Sequence, residues 1–422
     1  MSVFERYCLM NESSVNVENK HSRIWPLYGA AFMMSLTINS WWTSMPFIID
    51  NIGGTKAHVG YAWAANMFGY LVCLLLAGLF LGSHNPRNTT RLASAVICLS
   101  TAAVGVITWV ILKWHKESNL GLIWLIITAG MIAGAATSLY WPFLMSWVSE
   151  NLEGELLNRR LGNYNSSWSS SLIIGPLIGG ILVQSSILLP AIFVTTGLIV
   201  CFISLNFSTD SKFHTALFSD NGGKKNNSVN NRSDILRMRW VARIALFCSW
   251  ACIGVARSQY ALLFTSMHYS EAMFGVLITV FGACNFSALT LAGKSTFWHF
   301  KPALLLCSQL MLVISLLMII FTKSLPLIIL AFIILGCGFG FAYGSHLYYG
   351  TCGAKRRSVQ MAIHEGTISC GVIVGSGTGG YIAGKFGDLQ PYWFMLALVI
   401  VGIIAQIIIM PHYRIKNEPV NA

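Results

Sequence analysis

Six apolar runs, each about as long as a bilayer is thick, precede a polar and basic stretch from Ser208 to Arg239, and six more follow it. Roughly twenty apolar residues at about 1.5 Å each cover the hydrocarbon core, and inside lipid the backbone must satisfy its own polar groups, which favours helices. The first six runs are Ile24 to Ile48, Val59 to Leu81, Leu92 to Leu112, Leu120 to Val148, Ser167 to Val183 and Ile187 to Leu205. The second six are Trp240 to Phe264, Ala272 to Ala292, Pro302 to Phe321, Leu325 to Gly344, Val359 to Ala383 and Tyr392 to Met410. The expected fold is therefore an all-α integral membrane protein of about twelve transmembrane helices in two six-helix bundles. The expected division is an N-tail (1–23), a first bundle (24–207), a basic linker (208–239), a second bundle (240–411) and a C-tail (412–422).

Composition fits a bilayer and little else. With 55% hydrophobic and 10% charged residues, the chain lacks the quarter or so of charged residues that a water-soluble surface normally carries. Its formal charge of +12 sits in short loops between apolar runs, the pattern of membrane topology and not of a nucleic-acid face. The cysteines, among them Cys73, Cys98, Cys201, Cys248, Cys284 and Cys370, mostly lie singly inside apolar runs and read as small hydrophobes. No disulfide or zinc spacing stands out. The stretch from Met1 to Arg23 has no apolar core and reads as a polar tail, not a cleavable signal.

The basic residues also orient the chain. Most of the 27 Lys and Arg fall in the tails, in the middle stretch, or after the even-numbered spans, as Arg87 and Arg91, Arg159 and Arg160, Lys294 and Lys301, and Lys355 to Arg357 do. The opposite loops hold Lys56, Lys113, Lys116, Lys323 and Lys385. By the positive-inside rule both termini and the middle stretch are expected in the cytoplasm, with the protein in the cell membrane.

The halves echo one another. Span five carries Gly175, Pro176, Gly179 and Gly180; span eleven carries Gly375, Gly377, Gly379 and Gly380; each follows a basic pair. Small residues let helix backbones approach, and proline frees a carbonyl and bends the helix. Repeats of this kind build two-bundle carriers, with the substrate site near the bilayer midplane between them.

On these features the chain resembles the major facilitator superfamily from Ile24 to Met410. The run Gly175-Pro176-Leu177-Ile178-Gly179-Gly180 is similar to the end of that superfamily's span-five "antiporter" motif, with Ser171 where the motif has another glycine. The superfamily's loop motif after span two is poorly kept: Gly78 fits, but Gly82 replaces the expected aspartate, Asn85 replaces the second glycine, and Arg87 and Arg91 alone preserve the basic character. The resemblance implies a secondary transporter of a divergent subfamily, moving a small solute by alternating access, with spans one, four, seven and ten lining the cavity.

Arg257 is the most informative single residue. A guanidinium in a span costs roughly 3 kcal/mol on insertion scales unless it meets water or a partner, and counting about 1.5 Å per residue from Arg243 places it about two-thirds of the way across. It reads either as the anchor of an anionic or carboxylate-bearing substrate or as half of a structural ion pair with an acid elsewhere. His364 and Glu365 are a His-Glu pair inside span eleven, suited to proton coupling or gating and equally to pairing with Arg356, Arg357 or Arg160. Glu365 lies about 12 Å from the cytoplasmic end by the same rise.

The expected cavity lining mixes aromatic and amide groups: Asn39 and Trp42 (beside Trp41) in span one, Asn66 in span two, Tyr140 and Trp141 in span four, Gln259 and Tyr260 in span seven, Asn285 in span eight, and His346, near Tyr348, in span ten. Such a lining suits a sugar, an amphipathic drug or an aromatic metabolite. A membrane-anchoring role is the alternative for each aromatic, above all for Trp114, Trp298 and Trp393 near span ends.

Ala292-Gly293-Lys294-Ser295-Thr296 imitates the end of a phosphate-binding loop, but its first glycine would fall at Ala288 and no soluble strand precedes it. No protease or nucleophile motif stands out, so neither an enzyme nor a bound cofactor or metal is expected. The expected partners are the bilayer, a small-molecule substrate and protons, with a monomer as the working unit and no nucleic acid. A transporter-derived sensor or assembly factor without solute flux is the other reading.

Overall fold

The computed structural model describes residues 24–80, 85–114, 120–150, 154–208, 232–352 and 357–410, and among them regular structure is helical throughout. The expected tails and most of the basic linker lie outside the described residues. The first half comprises α1 (Trp25–Asn51), α2 (Lys56–Phe80), α3 (Pro86–Trp114), α4 (Leu120–Val148), α5 (Gly154–Ser185) and α6 (Leu189–Asn206). The second comprises α7 (Arg232–Ser258) with its short continuation α8 (Tyr260–Ser266), α9 (Glu271–Lys294), α10 (Pro302–Phe321) and α11 (Leu325–Thr351). Span eleven follows as α12 (Arg357–Val372), a π-helical turn (Ile373–Thr378) and α13 (Gly379–Phe386), and the last helix is α14 (Gln390–Ile409).

Ten of these helices are long and apolar enough to cross a membrane. The two remaining spans are α1, which carries Thr37, Asn39, Ser40, Thr43 and Ser44, and span eleven, which the π turn divides. Several helices start on proline at the first or second position, as α1, α6, α10, α11 and α14 do; the fixed φ of proline suits the helix there and its missing N–H leaves no bond unmade. At α9 the Ser270 hydroxyl instead caps the N–H of Met273 at 3.2 Å. Asn85 does comparable work before α3, where its side-chain oxygen accepts from the Arg87 N–H at 2.9 Å.

Hydropathy locates spans well and helix ends less well. α5 begins at Gly154, not Ser167, and α11 runs on to Thr351, beyond Gly344. Polar turns there leave the apolar layer without leaving the helix, because backbone bonding continues where lipid contact stops.

The two halves pack alike. α1 lies along α5 as α7 lies along span eleven; α2 and α3 flank α4 as α9 and α10 flank α11; α3 meets α6 as α10 meets α14. Across the halves the extended contacts are α5 with α9 and α2 with span eleven. Glycine makes both approaches close. A Cβ on Gly180 would sit 2.9 Å from the Cα of Gly275, and one on Gly60 would sit 2.8 Å from the Cα of Gly380, so in each seam two backbones touch directly. Within α5, Pro176 has no N–H to give the Leu172 carbonyl; a Cβ on Gly282 of α9 would lie 2.7 Å from that carbonyl oxygen, and the Thr279 hydroxyl donates to the next one, Ile173, at 2.9 Å.

One end of the molecule is drawn together by further cross-half contacts. Lys56 is ion-paired with Asp388, the Ala272 N–H donates to Gln184 Oε1 at 3.1 Å, Gln259 Nε2 donates to the Lys56 carbonyl at 3.3 Å, and Phe47 meets Phe274 edge-on at 5.7 Å. Toward the other end α4 and α11 share no extended packing. The halves thus form a structure pinched at the end that carries the turns after α1, α5, α8 and α13.

Candidate functional site

Arg257 sits near the end of α7, where that helix meets α1 and α2. Its terminal nitrogen donates to Asn39 Oδ1 at 3.3 Å, and its guanidinium carbon stands 5.5 Å from the centre of the Trp63 ring. Its Nε is buried without a partner. Among the described residues no Asp or Glu lies within ion-pair reach of it, so the partner is an amide and not the acid that one reading of the sequence invoked. Asn39 is held in place by its own donation to the Ser35 carbonyl at 2.9 Å. Trp63 lies 4.5 Å from Trp42, ring centre to ring centre, and its indole N–H is also buried and unpartnered.

A second cluster lies between α2 and span eleven. The Tyr70 hydroxyl donates to Glu365 Oε2 at 3.0 Å, so the carboxylate faces the opposite half; of the basic groups weighed as its partners, Arg356 and the Arg357 side chain lie outside the described residues. Beside it His364 turns the other way, into the second half. Its Nδ1 is 2.7 Å from Nδ1 of His346 on α11, and both rings are 1% exposed with Nε2 unpartnered. Tyr343 stands edge-on to His364 at 5.0 Å. Near the His346 end of α11, Arg239 donates to the carbonyls of Tyr349 and Cys352, while Arg243 donates to Gln360 at 2.7 Å.

The remaining expected residues do not all gather around Arg257. Asn66 braces α2 against α4 through a 2.8 Å bond to the Gly130 carbonyl. Tyr140 is fully buried inside the first half, its hydroxyl on the Ala30 carbonyl at 3.1 Å and 3.2 Å from Cys201. Tyr260 lies in the core of the second half among Phe264, Phe332 and Tyr392. A polar tip on a buried helix face is drawn to the nearest free carbonyl, which takes Asn66 and Tyr140 into bundle interiors. Trp141 is half-buried between Tyr140 and Trp168, and Asn285 packs against Gly340 of α11 with Oδ1 unpartnered. Gln259 spans the pinched end to Lys56.

The glycines divide by role. Ideal Cβ atoms would bring Gly175 and Gly179 against α1, and Gly375 and Gly379 against α7, while Gly180 and Gly380 occupy the two seams between halves. Trp63 and Tyr70 were absent from the expected lining. Their signal is faint in the sequence: Gly60, Trp63 and Tyr70 recur at spacings that share one face of α2.

The sequence matches the Major Facilitator Superfamily over residues 27–351, well over half of the chain. The chain belongs to that superfamily. No curated protein sequence matches it. Its fold is shared with solved transporters at low identity: a mutant of the nucleoside transporter NupG, TM-score 0.69 at 10% identity, covering 92% of this chain and 100% of that one; a bacterial homologue of the iron transporter ferroportin in an inward-facing state, 0.70 at 12%, covering 92% and 98%; and a POT family transporter in complex with a thioalcohol-conjugated peptide, 0.72 at 11%, covering 91% and 95%. This member of the Major Facilitator Superfamily is thus a multi-pass membrane transporter, with about twelve helices in two bundles.

Proposed function

We propose that the protein is a secondary active carrier that moves a small solute by alternating access, with Arg257 as the substrate anchor. The observation that carries this reading is the cation itself: a half-buried arginine between the two halves, with a buried, unpartnered Nε and no acidic neighbour among the described residues. A residue so costly to hold in a span is retained where something it binds comes and goes. The pinched end and the unpacked α4–α11 side suit one of the two states that a rocking carrier visits. By the positive-inside rule the pinched end faces away from the cytoplasm, the termini lie inside, and the unpacked side opens inward. Glu365 is the proton-coupling group on this reading, since a carboxylate bonded across a moving seam changes neighbours when the halves rock.

The test is counterflow in liposomes, with solutes chosen by a thermal-shift screen of the purified protein against sugars, organic anions and drugs. Arg257→Ala is expected to insert normally and to lose transport; normal transport by that variant would remove Arg257 from the site. A ligand that binds without flux would replace the carrier with a sensor.

A further inference from the structure

We infer that the Arg257 site takes a planar monocarboxylate, a flat aromatic or heteroaromatic ring bearing one carboxylate. The inference rests on the carrier reading above and names its cargo class.

Charge comes first. Arginine stays protonated under all ordinary conditions, so the site holds a fixed positive charge whichever way the carrier faces. Its one hydrogen bond among the described residues is a long 3.3 Å contact to a neutral amide oxygen, and no described carboxylate offsets it. A neutral sugar would leave that charge uncompensated in a low-dielectric setting, and a cationic drug would oppose it. A single carboxylate matches it in sign and size.

Geometry narrows the class. The guanidinium edge offers a fork of N–H donors suited to both oxygens of a carboxylate, and Nε, one prong of that fork, is unused. A second buried donor, Trp63 Nε1, is also unpartnered. Two orphan donors in one contact pair call for an acceptor-rich group. Trp63 and Trp42, 4.5 Å apart, supply indole surface beside the cation, and aromatic surface of that kind favours a flat ring over a bulky aliphatic one.

The experiment uses the full chain in detergent, with indole-3-carboxylate, its neutral amide indole-3-carboxamide, and cyclohexanecarboxylate as probes, read by tryptophan fluorescence and thermal shift. Indole-3-carboxylate is expected to bind at least about tenfold more tightly than either comparison compound. Arg257→Gln is expected to remove the preference for carboxylate over amide. Trp63→Leu, which leaves the charge in place, is expected to reduce the preference for the aromatic over the cyclohexane acid, so the proposal stays testable if the arginine variant fails to fold. Equal binding of acid and amide, or a preference that survives Arg257→Gln, overturns it. If a sugar or a cation binds instead and is carried in liposomes, the cargo class falls while the carrier reading stands. If indole-3-carboxylate binds through Arg257 but no counterflow occurs, the class stands and the carrier reading falls.

Discussion

Tyr70 on α2 donates a 3.0 Å hydrogen bond to Glu365 on span eleven, and that bond joins the two halves of the molecule. A hydroxyl bonded to an ionised group contributes more than one bonded to a neutral group, about 1.5–3 kcal/mol against about 1. The strength of the tie between halves therefore depends on whether Glu365 carries a proton. A carrier can use this to make rocking conditional on proton binding.

Glu365→Gln keeps the shape of the side chain and removes its proton exchange. It is expected to abolish accumulation driven by a proton gradient while sparing counterflow, which needs no net driving force. Measuring the two modes side by side in liposomes checks this, and gradient-driven accumulation by the variant would exclude Glu365 as the coupling group. Tyr70→Phe, which removes the donor alone, is expected to keep transport and change its pH profile.

The glycine seams give a steric expectation. A methyl on Gly180 would meet the Glu271 carbonyl oxygen at 2.6 Å and the Gly275 Cα at 2.9 Å, and one on Gly380 would meet the Gly60 Cα at 2.8 Å. Backbone cannot move aside as a flexible side chain can, so overpacking there costs about 1–3 kcal/mol. In the proposed rocking mechanism that cost falls on the pinched state alone. Gly180→Ala and Gly380→Ala are expected to slow transport several-fold with little loss of expression, whereas Gly162→Ala, where a Cβ has open space around it, is expected to be neutral. Transport rates of the three variants decide the point.

Lys56 and Asp388 close the same end across the halves. Both side chains are about a third exposed, at 38% and 32%, so the pair contributes only about 0–1 kcal/mol. That is enough to move a balanced two-state equilibrium several-fold. Lys56→Ala is expected to raise access to Asn39 and Arg257 from the pinched end, and Lys56→Asp with Asp388→Lys to lower it again. Labelling a cysteine placed at Asn39, with native cysteines replaced, measures that access; no change in labelling would show that the pair does not hold the gate.

The spans were legible because hydropathy reports lipid contact directly, and α4 and α10 begin and end where their apolar runs do, at Leu120–Val148 and Pro302–Phe321. Arg257 was legible for the same reason, as a charge in an apolar run. Its setting was not. Trp63 and Tyr70 reach the site through the rotation of α2 against the other half, which no local period fixes. The contact of His346 with His364 depends on how α11 meets α12, and the bracing roles of Asn66 and Tyr140 depend on which carbonyl lies nearest. Residue type marks a polar group as costly in a membrane; only tertiary packing tells whether a carbonyl, a second side chain or a solute satisfies it.

The two histidines carry the last expectation. With Nδ1 to Nδ1 at 2.7 Å, one ring donates and the other accepts, so each satisfies the other's Nδ1, though not its Nε2, in a site that is 1% exposed on both sides. Truncating one leaves the other imidazole with Nδ1 unmet as well as Nε2, at about 1–3 kcal/mol; removing both leaves neither ring. His346→Ala and His364→Ala are each expected to lower the melting temperature in detergent, and the double variant to fall short of the summed losses by about 1–2 kcal/mol of coupling. Strict additivity would mean that the contact contributes nothing to the join between α11 and α12.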